Sequence, residues 1–232
     1  MNLIGYALDR GLRGRRSRRD LRSTRAFARA VPPGDHAPVE ILTERLLLRE
    51  LTEADAPACN AYEGDPEVVR YTLHDVLTLD QTLARIRRIV AAAAAVPRLV
   101  HDFAVVLRGT PDEGRLIGRA DFCVGQPEAH QAEIWWILGR AHWGRGYVPE
   151  AGRALLDLAF GDLGLHRVIA DLDPQNFASA RVAEKLGMRR EAHYLENTFQ
   201  KGAWVDTLIY AILRREWAAR RAPQDDGRRL VR

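Results

Sequence analysis

The chain has 232 residues, of which 47% are hydrophobic, so it can bury one large core. Its two cysteines, Cys59 and Cys123, lie far apart in no CxxC pair, and its seven histidines show no ligand-like spacing, which argues against a disulfide framework and a metal site. No apolar run reaches the length of a membrane span, so we expect a soluble protein with no membrane partner. The cysteines fit a reducing cytoplasm, and the histidine spacing leads us to expect no metal.

The net charge of +4 is concentrated at the two ends of the chain. Residues 1–36 hold nine arginines and three aspartates, and residues 218–232 hold five arginines and two aspartates, which leaves residues 37–217 with a net charge of −5. We therefore predict a disordered arginine-rich tail over 1–36, one domain over 37–217 and a flexible basic tail over 218–232. The acidic domain favours a cationic substrate and disfavours nucleic acid.

The arginine-rich N-terminal segment leaves several interpretations open. It is a solvated tail, an arm that contacts ribosomal RNA, or a transit peptide. A twin-arginine export signal is excluded because no apolar region follows the arginine pair.

Periodicity and turn residues predict an alternation of strands and helices. Strands are expected over residues 45–51, 102–108, 116–124, 132–138, 166–172, 189–196 and 205–213. Helices are expected after the capping box at 52–55, briefly after the turn at 64–66, from Thr78 towards Pro97, over 149–163 and over 179–186. The short joint at 109–114 predicts an antiparallel hairpin, and the later alternation implies a parallel pair, so the fold class is mixed α/β.

The segment WGRGYVPEA at 143–151 lies between a predicted strand and a predicted helix. Glycines let backbone amides turn towards a ligand, and a helix N-terminus adds unpaired N–H groups and positive partial charge, so the segment suits a pyrophosphate. Arg145 adds a direct charge contact, and Pro149 is tolerated in a first helical turn. A simple tight connection is the alternative. Proline at 149 departs from a dinucleotide fingerprint, and no GxxxxGK[ST] sequence is present.

Five ordered motifs carry a resemblance to a known family. They are TERLLLR at 43–49, AEI at 132–134, WGRGY at 143–147, NFAS at 176–179 with KLGM at 185–188, and KGAWVD at 201–206. In this order they resemble the GNAT superfamily of N-acetyltransferases, and within it the RimJ/RimL-like group that acetylates ribosomal-protein N-termini and various small amines. The resemblance covers about residues 42–217. It implies a mostly antiparallel mixed sheet with a splayed parallel pair flanked by helices, and acetyl-CoA as acetyl donor.

The resemblance also implies which residues bind the coenzyme. The backbone of the strand before the glycine loop pairs with the pantetheine arm, the loop binds the pyrophosphate, and two residues of the NFAS motif lie near the sulfur. These positions are Trp136, Ile137, Leu138, Trp143, Gly144, Arg145, Gly146, Tyr147, Val148, Asn176 and Ser179. The family pattern Gln/Arg-x-x-Gly-x-Gly/Ala falls on Trp143, Gly146 and Val148, and this chain departs from it at the first and the last.

Amine attack on a thioester calls for a base, a donor to the developing oxyanion and an acid for the thiolate. Glu133 begins the strand beside the expected thioester and is the candidate base, acting through water. Asp121, Glu128 and His130 are alternatives. The tyrosine that many GNAT enzymes use as the acid would fall on position 183, which is alanine here.

In the RimJ/RimL-like group the resemblance instead places Asn176 and Ser179 near the sulfur, as catalytic candidates. Both residue types also serve as ordinary helix caps, and capping and catalysis are compatible.

Three functions compete at this stage. The first is an N-acetyltransferase that acts on a protein N-terminus, an aminoglycoside, a polyamine or an amino acid, with specificity residing in residues 53–96 and 195–204. The second is a catalytically idle module that binds acetyl-CoA or the ribosome. The third is a nucleotide-dependent oxidoreductase, which the antiparallel hairpin disfavours. A monomer and a homodimer both fit the sequence.

Overall fold

A computed structural model of the chain describes residues 39–221. The predicted N-terminal tail and residues 222–232 lie outside this range. A helix over Arg214–Arg221 extends four residues into the segment that the sequence assigned to the C-terminal tail. Across the described residues, no helix combines the length and apolar composition needed to cross a membrane.

Eight strands and five α-helices follow one another along the described residues. The strands are β1 (Glu40–Leu42), β2 (Leu46–Glu50), β3 (Val100–Leu107), β4 (Leu116–Gln126), β5 (Gln131–Leu138), β6 (Arg167–Leu172), β7 (Arg189–Gln200) and β8 (Ala203–Leu213). The helices are α1 (Ala56–Glu63), α2 (Leu79–Ala93), α3 (Tyr147–Asp157), α4 (Phe177–Lys185) and α5 (Arg214–Arg221).

All eight strands form one sheet in the order β1-β2-β3-β4-β5-β6-β8-β7. Every neighbouring pair is antiparallel except β5 and β6, which run parallel. The predicted hairpin of β3 and β4 and the predicted parallel pair are both confirmed. A mostly antiparallel sheet with one parallel pair is not a parallel dinucleotide-binding sheet, which counts against the oxidoreductase hypothesis.

Two hydrophobic clusters cover the two faces of the sheet. On one face, Ile134 of β5 lies in one cluster with Leu155 of α3 and with Leu186, which directly follows α4. On the other face, Ile137 of β5 packs with Tyr62 of α1 and Ile86 of α2. Helices therefore lie on both faces, and the residues of β5 alternate between the α3–α4 face and the α1–α2 face.

Local sequence explains most element boundaries. Thr78 caps α2, as predicted: its hydroxyl accepts from the Gln81 amide at 3.3 Å, and the Gln81 side chain accepts from the Thr78 amide at 2.8 Å, which completes a capping box. The three-residue strand β1 was missed because it is too short for a pattern to show. The helix predicted after the turn at 64–66 is wrong: residues 64–78 form turns and bends, and the helical bond from Val69 to Asp65 is not continued.

Candidate active site

The parting of β5 from β6 opens a cleft in the sheet. The two strands pair at Gln131, Ala132 and Glu133, where the last pair is Glu133 with Ile169. Beyond that point β5 stays with β4 as far as Leu138, and β6 stays with β8 as far as Leu172. Within residues 39–221 no strand pairs with the β6-facing edge of residues 134–138. This edge is therefore able to hydrogen-bond an extended ligand as a strand would.

The glycine loop follows the open edge of β5 and leads into α3. Gly144 and Gly146 adopt φ angles of 74° and 80°, a left-handed conformation that favours glycine. Gly146 is the residue before the first turn of α3, so the amides of Tyr147 and Val148 begin the helix without intrahelical partners. Pro149 occupies the third helical position, where a missing N–H costs little. Turning glycines followed by free amides at a helix N-terminus are the features on which the predicted anion site depends.

Arg45, between β1 and β2, ties this loop to the sheet. Its guanidinium bonds the Glu150 carboxylate through Nε at 2.8 Å and Nη2 at 2.7 Å, and its Nη1 donates to the Arg145 carbonyl at 3.0 Å. It also lies over the Tyr147 ring, 4.8 Å from the centroid. Thr43 adds a 2.6 Å hydrogen bond to Glu150. Sequence patterns do not predict this network, because its partners are about 100 residues apart in the chain.

Electrostatics show that the carboxylate of this network is held ionised. Burial opposes the charge of Glu150, but hydrogen bonds from Thr43 and Arg45 outweigh burial and lower the pKa of this carboxyl. The guanidinium therefore has a permanent anionic anchor. With three of its five N–H groups used in these contacts, two remain to face an anion at the loop.

The start of α4 faces the cleft from the other side. Asn176 caps the helix by accepting from the Ser179 amide at 3.1 Å, as proposed from the residue types. The Ser179 hydroxyl accepts from the indole Nε1 of Trp136 at 3.1 Å. This bond joins β5 to α4 across the cleft and leaves the Ser179 proton available to donate elsewhere.

Three tryptophans lie near the open edge, two in β5 and one in the loop that follows it. Trp136 lies on the α3–α4 face, packed against the main core, so Trp135 points to the opposite face by alternation. Trp143 turns back on β5, where its indole donates to the Leu138 carbonyl at 2.7 Å. The Leu138 carbonyl, one of the backbone acceptors expected to bind the pantetheine arm, therefore already accepts a hydrogen bond. The same bond holds the Trp143 side chain against the end of β5.

Glu133 lies where the cleft begins. It is buried, with 3% of its surface exposed, and it stands opposite Cys123 of β4 and Ile169 of β6 on the α1–α2 face. Of the alternative bases, Asp121 is buried on the same face, one strand away. Glu128 and His130 are exposed in the connection between β4 and β5, at the paired end of β5 and not along its open edge. The structure thus brings Glu133 and Asp121 to the cleft side and leaves the other two outside.

Comparison with known proteins decides the family. A family model described as an acetyltransferase (GNAT) domain matches residues 45–189. The chain belongs to the GNAT acetyltransferase family. It is 35% identical to the uncharacterized N-acetyltransferase YnaD of Bacillus subtilis over 77% of this chain and 99% of that protein. It is 27% identical to the ribosomal protein uS5-alanine N-acetyltransferase of Escherichia coli, over 46% of this chain and 56% of that enzyme.

Solved structures show the same architecture. A GNAT-family acetyltransferase from Bacillus anthracis superposes with a TM-score of 0.68 at 32% identity, over 76% of this chain and 99% of that one. The fold is also that of spermidine N-acetyltransferase from Vibrio cholerae in complex with CoA and spermine, with a TM-score of 0.65 at 20% identity, over 76% and 99% of the two chains. The predicted fold class, a mostly antiparallel sheet with one splayed parallel pair, is confirmed.

The α1–α2 face of this GNAT domain is closed by two chain segments. One is the loop over residues 64–78, and the other is the hairpin of β7 and β8. Lys201, at the hairpin turn, donates to the carbonyls of Val69 at 2.6 Å and Arg70 at 3.2 Å and so joins the two segments. Near that turn Phe199 and Trp204 are exposed and meet edge to face. The two segments that the sequence suggested for specificity therefore contact each other through Lys201.

The position at which many GNAT enzymes have a tyrosine lies in the core of this protein. Ala183 is fully buried between α4 and the sheet, in the main core. Ser179, one helical turn earlier, contacts β5 through its hydrogen bond with Trp136.

Proposed function

We propose that this protein transfers the acetyl group of acetyl-CoA to a primary amine by direct attack of the amine on the thioester. The observation that carries the proposal is the parting of β5 from β6 after Glu133, directly before a glycine loop at the start of a helix. Acetyl-CoA has the matching shape, with an amide-rich pantetheine arm that pairs like a strand and a pyrophosphate for the loop.

Coenzyme binding would use backbone more than side chains. The pantetheine arm would lie along Trp136, Ile137 and Leu138, with the Leu138 carbonyl shared with Trp143. The pyrophosphate would meet the amides from Gly144 to Val148 and the charge of Arg145. Because the amides contribute most of the binding, the departures from the family pattern at Trp143 and Val148 leave the geometry of the site intact.

The chemistry would divide between two sides of the cleft. Glu133, on the α1–α2 face, would take the ammonium proton through water, so that the neutral amine forms the C–N bond as the C–S bond breaks. Ser179, positioned by its contact with Trp136 and by the Asn176 cap, would donate its hydroxyl proton as a hydrogen bond to the departing thiolate.

A catalytically idle acetyl-CoA-binding module is the second candidate. It is favoured by Ala183, which replaces the usual acid and lies in the core. Both candidates bind acetyl-CoA, but only the acetyltransferase turns it over. An arginine-rich ribosome-binding arm would be compatible with either.

The test is an acceptor screen that follows thiol release from acetyl-CoA and identifies the product by mass. The panel contains peptides with free N-terminal alanine or serine, polyamines, aminoglycosides and amino acids. The proposal expects an acceptor that gains 42 Da with one thiol released for each acetyl group. Tight acetyl-CoA binding with no acetylated product across the panel would favour the idle module.

A further inference from the structure

A group of buried charges lies on the α1–α2 face, under the loop over residues 64–78. Arg119 of β4 bonds Asp102 of β3 at 2.8 Å and contacts Glu63 of α1 at 3.4 Å. Arg85 of α2 reaches the same Glu63 carboxylate at 3.5 Å. Arg119, Asp102 and Glu63 are each at least 95% buried. Burying four ionised groups is costly unless each has a partner, and these contacts pair two cations with two anions.

Asp121 is a third carboxyl group in this cluster. It is 4% exposed and stands directly opposite Asp102 in the β3–β4 pair. Among the described residues it has no ion pair, and its Oδ1 atom is buried without a hydrogen-bond partner. Burial first, and then the negative charge of Asp102, raise the pKa of Asp121 well above its ordinary value, against the opposing effect of Arg119 and Arg85.

The surroundings do not supply the missing positive charge. His74, from the covering loop, has a lowered pKa because of burial and the charge of Arg85, so it is neutral at pH 7. The thiols of Cys59 and Cys123 have pKa values raised to about 11 and about 12 by burial. The neighbouring ion pair of Glu50 with Arg98 carries no net charge, and Glu133 on β5 adds another carboxyl group. Glu133 lies outside these contacts. Arg119 and Arg85 balance two of the three carboxyl groups of the cluster, so the cluster itself is one cation or one proton short of neutrality.

The position of Asp121 connects this cluster to the cleft. Its cross-strand partner on β5 is Trp135, two residues beyond the point where β5 leaves β6. Side chains directly opposite in an antiparallel pair have Cβ atoms about 5 Å apart. The coenzyme loop and α4 cover the other face, so an acceptor would approach the thioester from the face that holds Asp121.

We propose that Asp121, backed by Asp102, forms an ammonium-binding subsite of the acceptor pocket, in which the cationic group of an amine replaces the proton that balances the charge of the cluster. This inference rests on the proposed acetyl transfer and specifies its acceptor: the amine enters as a cation and its binding releases a proton.

The test uses ethylammonium chloride as the probe and protein saturated with CoA, which has no acetyl group to transfer. Titration calorimetry at pH 7 in phosphate and in HEPES, whose ionisation enthalpies differ, measures both affinity and proton release. We expect binding with release of about one proton, and affinity that falls as the pH is lowered. Propan-1-ol, of similar size and uncharged, should bind at least tenfold more weakly.

The variant Asp121→Asn should lose at least tenfold in ethylammonium affinity and lose the proton release, whereas the exposed-site control Asp112→Asn should retain both. Equal affinities for ethylammonium and propan-1-ol, or binding without proton release in the wild-type protein, would overturn the proposal even if Asp121→Asn does not fold. Normal acetyl transfer with unchanged ethylammonium binding in Asp121→Asn would overturn this inference alone. Failure of every amine to be acetylated would overturn the proposed function instead.

Discussion

Arg45 and Glu150 form a 2.7 Å ion pair that joins the start of β2 to the first turn of α3. The same guanidinium bonds the Arg145 carbonyl, so the conformation of the glycine loop depends on a residue about 100 positions earlier in the chain. The TERLLLR and WGRGY motifs, which the sequence presents as separate signals, are thus two halves of one structural unit.

Replacing Arg45 by alanine is expected to weaken CoA binding roughly tenfold, the size of one charge-assisted hydrogen bond, because the loop loses its anchor and the anion loses a nearby charge. Arg45→Lys keeps the charge but loses the forked contact, so its CoA affinity should lie between those of Arg45→Ala and the wild-type protein. Titration calorimetry with CoA measures this effect. Arg153→Ala, exposed on the same helix, is the matched control. Equal affinity of Arg45→Ala and the wild-type protein would remove Arg45 from the site.

Glu133 and Ser179 are expected to respond differently to mutation. Glu133→Gln keeps the shape and removes the base, so the rate of acetyl transfer should fall at pH 7 by about 10²-fold to 10⁴-fold and recover towards high pH, where more of the amine is neutral. CoA affinity should change little. Single-turnover rates at several pH values measure this. Full activity of Glu133→Gln across the pH range would transfer the role of base to Asp121.

Ser179→Ala removes a hydroxyl group that contacts Trp136, and its rate loss should depend little on pH. CoA affinity should also weaken, since the bond that joins β5 to α4 across the cleft is lost. Because the cap at the start of α4 comes from Asn176 and not from the Ser179 side chain, the free energy of unfolding should change by less than about 1 kcal/mol. If the rate of acetyl transfer by Ser179→Ala recovers at high pH as that of Glu133→Gln does, the two residues do not have the separate roles proposed for them.

The sequence predicted the sheet better than the contacts between its parts. Strands such as β4 and β6 show a period or a turn signal of their own, so their existence follows from local residues. The loop over 64–78 was expected to contain a helix, but its shape depends on Lys201, which comes from a distant hairpin.

In the candidate site, too, local features could be predicted from the sequence and long-range contacts could not. Gly144 and Gly146 have positive φ angles that favour glycine, so the residue type alone indicated a turn at these positions. The bonds of Trp143 to Leu138, of Trp136 to Ser179 and of Arg45 to Glu150 depend on tertiary packing, and neither spacing nor composition encodes them.

Stability in acid is expected to depend on His101. This side chain is buried in β3 and stacks on Phe122, with ring centroids 4.7 Å apart. Burial, and then the charge of Arg98, lower its pKa from 6.5 to about 3. The unfolded chain therefore binds a proton that the folded protein does not. The contribution of His101 to stability is complete above pH 6.5 and is lost as the pH falls towards 3, by about 1.4 kcal/mol per pH unit.

His101→Phe keeps an aromatic ring for stacking and removes the titration. Urea unfolding at pH 7.5 and pH 5 should show the wild-type protein losing about 2 kcal/mol more than this variant over that interval. His166→Gln, at an exposed histidine, should behave as the wild-type protein does. If His101→Phe and the wild-type protein lose the same stability on acidification, other groups govern the acid response.

The most direct test of the account is backbone hydrogen exchange with and without saturating acetyl-CoA. The account predicts slower exchange at two places: the open edge of β5 over residues 134–138, and the loop amides from Gly144 to Val148. Gly146→Val, which forces a valine to a φ of 80°, should abolish the protection of the loop. Acetyl-CoA binding that leaves both segments unprotected, with slowed exchange elsewhere in the chain, would contradict the proposed site.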